Sequence, residues 1–291
     1  MVLCPCLAGC FLGAVGRSSS AAAHAAPDDA APQPSGGSAE LLLEAAEEAA
    51  EDATRWLHPG SPCLPPLVEV PGAPLVLRRV VKPPDVDALW EWYLEQGMEE
   101  ADASWASVWP SAAALAAHIA AQPELVRGLS VMELGAGLGA AGLTAARTGA
   151  SRVTLVDREP LALHCAMATA SLCGLTTAAV DEPCAPPHSI QAVVSDWGAL
   201  AGQAPVSVVL GAEVLYDVSE VKSLAQCAAR LLRNGGTALV ADPVPERCPG
   251  CRTAFLAAAE ALGGRGSEST LAVPFGELSV ALLCVEFGLP N

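Results

Sequence analysis

Lysine is nearly absent from this 291-residue chain: only Lys82 and Lys222 occur. Neither stands in a Gly-Lys-Ser/Thr context, which excludes a nucleotide hydrolase of the phosphate-loop kind. No His-Glu-x-x-His and no Gly-x-Ser-x-Gly occurs either, so a helix-borne zinc protease site and a serine nucleophile elbow are both out. Basic residues as a whole are scarce: 15 Lys and Arg face 32 Asp and Glu, a net charge of −17. That balance argues against general affinity for nucleic acid or an anionic membrane. The apolar run Met1–Gly16 is too short to cross a bilayer, so no stable membrane insertion is expected. Aromatics make up 4% of the chain, and much of the 52% hydrophobic content is alanine. A core is still available, in one large domain or two small ones.

The eleven cysteines are scattered. Cys4, Cys6 and Cys10 sit in the N-terminal tail. Cys248-Pro-Gly-Cys251 is a lone C-x-x-C without the second pair that a zinc site wants, so no metal is expected. A redox role for the pair is weaker than the plain reading of a loop with two thiols.

Residues 1–27 contain no acid and a single arginine, Arg17, beside Ser18-Ser19-Ser20. This composition suits an organellar transit peptide, for a chloroplast or mitochondrion. An unstructured leader on a cytoplasmic protein fits it equally. Pro27–Ser38 reads as linker. The expected division is a leader over 1–38, a helical and strand extension over 39–118 packing on the main domain, and the main domain over 119–291. Within the extension we expect a helix over Glu40–Leu57, short strands in Leu67–Val81 and a helix over Asp85–Gln96. Another helix should start at Pro110, where a missing N–H costs nothing.

From Val131 the pattern alternates. Strands are expected at Val131–Leu134, Val153–Val156, Ile190–Val194, Val206–Leu210 and Ala238–Ala241. Helices are expected at Ala140–Thr148, Leu161–Cys173, Glu220–Leu232 and Arg252–Leu262. Two last strands follow, near Ser269–Val273 and Leu278–Phe287. Alternation of this kind implies a parallel sheet covered on both faces, and two closing strands without a helix imply an antiparallel edge.

Ligands of such sheets bind beyond the carboxyl ends of the strands. The first strand ends at Glu133 and runs into Gly135-Ala-Gly137-Leu-Gly139-Ala-Ala-Gly142. Three glycines at alternate positions exceed what a simple turn needs and leave bare backbone for a nucleotide. The stretch from Gly137 also reads as the G-x-G-x-x-G of dinucleotide sites. Asp157 ends the second strand, where an acid can accept both ribose hydroxyls. Asp196-Trp197 follows the third, where a carboxylate can meet an adenine amine and an indole can pack on the ring. Glu213 and Tyr216 follow the fourth and can hold an amine, the acid by charge and the ring by its negative face. Asp242-Pro243 reads as a turn after the fifth.

In order and spacing, the segments WASVWPSAAALA, VRGLSVMELGAGLGAAGLTAARTGASRVTLVDREPLAL, SDWG, VVLGAEVLYD and LVADP resemble the seven-β-strand S-adenosylmethionine methyltransferases. More narrowly they resemble the family 16, methyltransferase-like protein-lysine methyltransferases. The nearest type is that acting on the electron transfer flavoprotein β-subunit, with its plant and algal relatives. The resemblance covers about Trp105–Leu262. It implies a Rossmann-like seven-stranded α/β sheet, mostly parallel with an antiparallel C-terminal edge strand, with helices on both faces and an N-terminal extension. It implies S-adenosyl-L-methionine as cofactor and a protein lysine as acceptor. By the same resemblance Glu133, Gly135, Gly137 and Gly139 line the methionine part of the cofactor. Asp157 holds the ribose, Asp196 and Trp197 border the adenine, and Trp109 approaches from the N-terminal side. Glu213 and Tyr216 become the catalytic pair beside the target amine. Most members carry Asp where this chain has Glu213, one methylene longer. Three other readings stay open: methyl transfer to a small molecule, an NAD(P)-dependent oxidoreductase, and a non-catalytic interaction protein that keeps the fold.

Overall fold

Consecutive rather than alternating apolar residues mark the inner strands. In β1 (Ser130–Leu134) and β5 (Val208–Ala212) four of five residues are buried, and in β2 (Arg152–Asp157) four of six. Strands of this kind are buried on both faces and belong inside a parallel sheet. The computed structural model describes residues 80–83, 86–99, 101–178, 188–200, 202–273 and 278–288. The leader, its cysteines, the helix expected over Glu40–Leu57 and the strands expected before residue 80 lie outside these residues.

The remaining elements are α1 (Val86–Glu95), α2 (Pro110–Ala121), α3 (Ala140–Thr148), α4 (Pro160–Leu172), β3 (Thr176–Thr177), β4 (Ser189–Val194), α5 (Val218–Leu231), β6 (Gly236–Val244), α6 (Cys251–Ala261), β7 (Gly264–Ala272) and β8 (Ser279–Phe287). The sheet order is β3-β4-β2-β1-β5-β6-β8-β7, parallel except where β8 runs against β6 and β7. Among the described residues the sheet thus has eight strands, the seven expected and the two-residue β3 beside β4. The antiparallel strand is last in sequence, but β7 takes the outermost place beyond it.

Local chemistry explains the helix boundaries. Pro110 opens α2 at its first turn, as expected. Asp217 caps α5 by accepting from the Ser219 N–H at 2.8 Å. Val221, Leu224, Ala225, Ala228 and Leu231 then form a buried stripe at helical spacing. With Phe255 of α6 this stripe covers Met132, Leu134, Val209 and Val240 on one face of the sheet. On the other face lie α2, α3 and α4. In α4 every residue from Leu161 to Ser171 except His164 is buried. The reason is a second layer: Val80, Val81, Leu89, Tyr93 and Trp105 pack on its outer side. The Val81 N–H donates to Thr169 Oγ1 at 2.9 Å within that seam. Helix α2 runs across the 118/119 division, so the sequence before residue 119 supplies part of the sheet's cover.

One expectation is corrected. Asp242-Pro243 is not a turn. It continues β6, with Asp242 opposite Ala281 and Pro243 opposite Val280 on β8. The β5 ladder ends at Ala212 opposite Ala241, so Pro243 sits where the strand has lost one neighbour and a missing N–H is tolerated.

Helix and sheet approach closely at Gly142. A Cβ there would lie 2.5 Å from Leu155 Cδ2 and 2.7 Å from Glu133 Oε2. Gly142→Ala should therefore destabilise the fold by about 1–3 kcal/mol, the usual cost of overpacking. Urea unfolding checks it; an unchanged midpoint would mean that α3 can retreat from β1 at no cost.

Candidate active site

Strands β1 and β5 are neighbours, yet the chain leaves β1 toward one side of the sheet and β5 toward the other. A crevice opens between their carboxyl ends. A cavity of about 310 Å³ lies there.

Its floor is the loop after β1. Gly135, Gly137 and Gly139 have φ of 63°, 50° and 74°, a region where any side chain is strained. Gly135 and Gly137 line the cavity with bare backbone, and Gly139 does not. A Cβ on it would meet Ala166 and Leu155 at 3.2 Å, so its smallness serves the packing of α3 against α4 and β2.

Glu133, next to last in β1, is almost fully enclosed, and its Oε2 accepts the Gly142 N–H at 2.7 Å. Burial pushes its carboxyl up to about 8, against the pull of the Gly142 and Ala141 N–H groups. Asp157 ends β2. Its Oδ2 accepts the Gly137 N–H at 2.7 Å and its Oδ1 the Glu159 N–H at 2.9 Å. Burial raises this carboxyl too, and the same N–H groups oppose the rise. Asp157 thereby ties the glycine loop to the start of α4. Asp196 is exposed at the rim. Trp197 is buried, donates its indole N–H to Glu220 at 3.3 Å, and lies 6.3 Å from the Tyr216 ring.

The loop after β5 forms the opposite wall. Glu213 has φ 56°, a conformation costly for a non-glycine residue and held by its N–H bond to Ala241 O at 2.9 Å. Its Oε1 accepts the Ser111 N–H from the first turn of α2 at 3.3 Å. Its Oε2 pairs with Arg247 at 2.6 Å. The Arg247 guanidinium stacks 4.3 Å from the centroid of the Trp109 ring. Trp109 is anchored by its indole N–H to Ser104 O at 3.1 Å. Tyr216 is 45% exposed and lines the mouth, its phenol held above the ordinary value by burial.

All the sequence-predicted residues except Gly139 therefore line one cavity. Sequence reasoning missed Arg247, which has no local motif to mark it. It also missed the Asp102–Arg158 pair at 3.1 Å on the rim. Arg158 directly follows Asp157, and that adjacency was the available signal. Asp242, which follows the fifth expected strand, does not line the cavity. It is buried behind it against Arg252 Nε at 3.4 Å, and burial pushes it up to about 7. Cys248 and Cys251 lie at the start of α6. Burial, with the Cys248 thiol beside it, pushes Cys251 up to about 12, so no thiolate forms there near neutral pH. Among the described residues there is no metal-competent group of three His, Cys, Asp or Glu, and no helix long and apolar enough to cross a membrane.

Comparison with known proteins meets the same region. The sequence model of a lysine methyltransferase family matches residues 93–243. The zebrafish (Danio rerio) electron transfer flavoprotein beta subunit lysine methyltransferase is 32% identical over 143 residues, 49% of this chain and 50% of the relative. The human protein of the same name is 43% identical over 61 residues, 21% of this chain and 23% of the relative. The chain spans about half, or less, of the length of these curated relatives. Among solved structures, a putative S-adenosylmethionine-dependent methyltransferase from Streptococcus mutans aligns over 62% of this chain and 49% of its own, at 14% identity and TM-score 0.48.

The Glu133 carboxyl generates a pH prediction. Its folded value of about 8 lies above its ordinary 4.5. Its contribution to stability is then fully present below about pH 4.5 and is lost as pH rises toward 8. Glu133→Gln keeps an acceptor for the Gly142 N–H and removes the titration. Its thermal midpoint should fall less than that of the parent protein across this window. Parallel falls would show that ionising Glu133 costs the fold nothing.

Proposed function

We propose that this chain, which belongs to the lysine methyltransferase family, transfers a methyl group from S-adenosylmethionine to the side-chain amine of a lysine in a protein. One observation carries the reading. Bare glycine backbone, a strand-end carboxylate at Asp157 and the Glu213–Tyr216 pair converge on one cavity, within the residues matched by the family. The names of the zebrafish and human relatives make the electron transfer flavoprotein β-subunit the first protein to try as acceptor.

The donor set fits the cofactor. Gly135 and Gly137 would take its methionine end against the main chain, with Glu133 beneath. A cation beside Glu133 would draw that carboxyl back toward its charged form. Asp157 spends two lone pairs on N–H groups and keeps others for ribose hydroxyls. Trp197, with Asp196 at the rim, would border the base. When bound, S-adenosylmethionine supplies a methyl group made electrophilic by its sulfonium.

The chain's part is to present a neutral amine to that carbon. Glu213 attracts and orients the incoming ammonium, and the Tyr216 and Trp109 rings offer it their negative faces. Enclosure between these groups desolvates the nitrogen and lowers its proton affinity, and the open mouth lets the proton pass to solvent. Glu213, Tyr216 and Trp109 would thus hold the neutral amine at near-attack distance from the methyl carbon that the bound cofactor would supply.

Calorimetry should show binding of S-adenosylhomocysteine and none of NAD. Asp157→Ala should weaken that binding by about 1–3 kcal/mol, the cost of leaving ribose hydroxyls unpaired. Binding of NAD alone would replace the reading with an oxidoreductase.

A second prediction concerns transfer. Glu213→Gln should lower tritium transfer to purified flavoprotein β-subunit, or to proteins of a matched extract, by roughly tenfold or more, with S-adenosylhomocysteine affinity near that of the parent. Label confined to a small-molecule fraction would remove the protein-lysine assignment and leave the fold and family intact.

A further inference from the structure

We infer that the Arg247 guanidinium occupies the seat of the acceptor lysine's cation, so that substrate binds by exchanging one cation for another on Glu213. The inference rests on the methyltransferase reading above.

Three observations support it. First, both oxygens of Glu213 are already engaged, Oε1 by the Ser111 N–H and Oε2 by Arg247. Each oxygen keeps a further lone pair, but the Glu213 side chain is nearly enclosed and its contact with the half-exposed side is Arg247, so an incoming ammonium competes with that guanidinium for Oε2. Second, Arg247 has what a lysine cation would seek here: a nearly enclosed carboxylate at 2.6 Å and an aromatic face at 4.3 Å. Third, Arg247 is able to leave. Its side chain is 49% exposed, whereas that of Glu213 is 6% exposed. Its loop is pinned just beyond it, where Glu246 accepts the Gly250 N–H at 2.7 Å and the Arg252 N–H at 3.1 Å. The side chain can swing to solvent without moving the loop, and the incoming ammonium then replaces its charge beside the enclosed Glu213 carboxylate.

Arginine suits such a seat because its charged guanidinium is a much poorer nucleophile than a neutral amine. Its guanidinium stays protonated at any working pH, so it carries no free lone pair toward the methyl carbon. A primary amine in the same place would. Residue 247 also lies past the family match, which ends at 243, so nothing in that match assigns it a role.

Arg247→Lys turns the occupant into an acceptor. Incubated with S-adenosylmethionine, this variant should methylate itself at position 247. The nitrogen gains the methyl group, the carbon–sulfur bond breaks to leave a neutral thioether, and one proton goes to solvent. Intact-mass analysis and peptide mapping read the added methylene. The background is low, because the chain's other lysines, Lys82 and Lys222, do not line the cavity. Adding Glu213→Gln to the same chain should slow the reaction about tenfold, the loss of one charged hydrogen bond.

A binding measurement runs beside it. With S-adenosylhomocysteine present, Arg247→Gln should bind butylammonium, the lysine side-chain mimic, about tenfold more tightly than the parent. That is the gain when a seat vacant about one-tenth of the time becomes vacant throughout. An unmethylated position 247 in a variant that binds S-adenosylhomocysteine normally overturns the inference. So does equal or weaker butylammonium binding by Arg247→Gln. Loss of S-adenosylhomocysteine affinity in the Arg247 variants alone would assign the residue to the cofactor and overturn it too. Absence of that affinity in the parent protein would instead sink the underlying methyltransferase reading.

Discussion

The hydrogen bond from the Gly142 N–H to the buried Glu133 carboxylate governs the shape of the site. It joins the end of β1 to the first turn of α3 and so fixes the span of the loop between them. That span holds only if α3 comes close enough that residue 142 has no side chain. The loop's remaining freedom is removed from the other side, where Asp157 accepts the Gly137 N–H. Two carboxyl groups near adjacent strand ends thus hold a run of glycines that would otherwise be conformationally free. The cost is a carboxyl whose ionisation is opposed by burial, a common condition for groups at functional clefts.

The opposite wall is built on a different balance. Glu213 sits in a strained backbone conformation, enclosed, with a main-chain N–H on one oxygen and a half-exposed cation on the other. The strain is tolerated because neighbouring elements fix it: Ala241 of β6 through its carbonyl, Ser111 of α2 through its N–H. The two walls therefore differ in kind. The glycine floor is closed by short bonds within adjacent segments. The Glu213 wall is assembled from the loop after β5, α2 and the loop after β6, and its outer member lies open to solvent.

Much of this arrangement could be read from the chain alone. The alternating strands and helices, the Pro110 start, the Gly135–Gly139 run and the acids at the ends of β1, β2 and β5 all come from local pattern. The Asp242-Pro243 turn was misread for a physical reason. The dipeptide favours turns, but β8, some forty residues on in sequence, pairs with the strand and carries it through. Gly139 was assigned to the cofactor through the family resemblance, and its contacts with Ala166 and Leu155, which leave no room for a side chain, could not be read from the chain.

What the sequence by itself determined is the set of elements and which chemistry stands at which strand end. Those depend on neighbours along the chain: periodicity, caps, and glycine's freedom at positive φ. Only the tertiary structure decided that the Glu133 carboxylate braces α3, that β7 ends up outside β8, and that Arg247 faces Glu213 across 34 residues of sequence. Charge pairing acts through space over a few ångströms, and no local pattern encodes which distant segments will come that close.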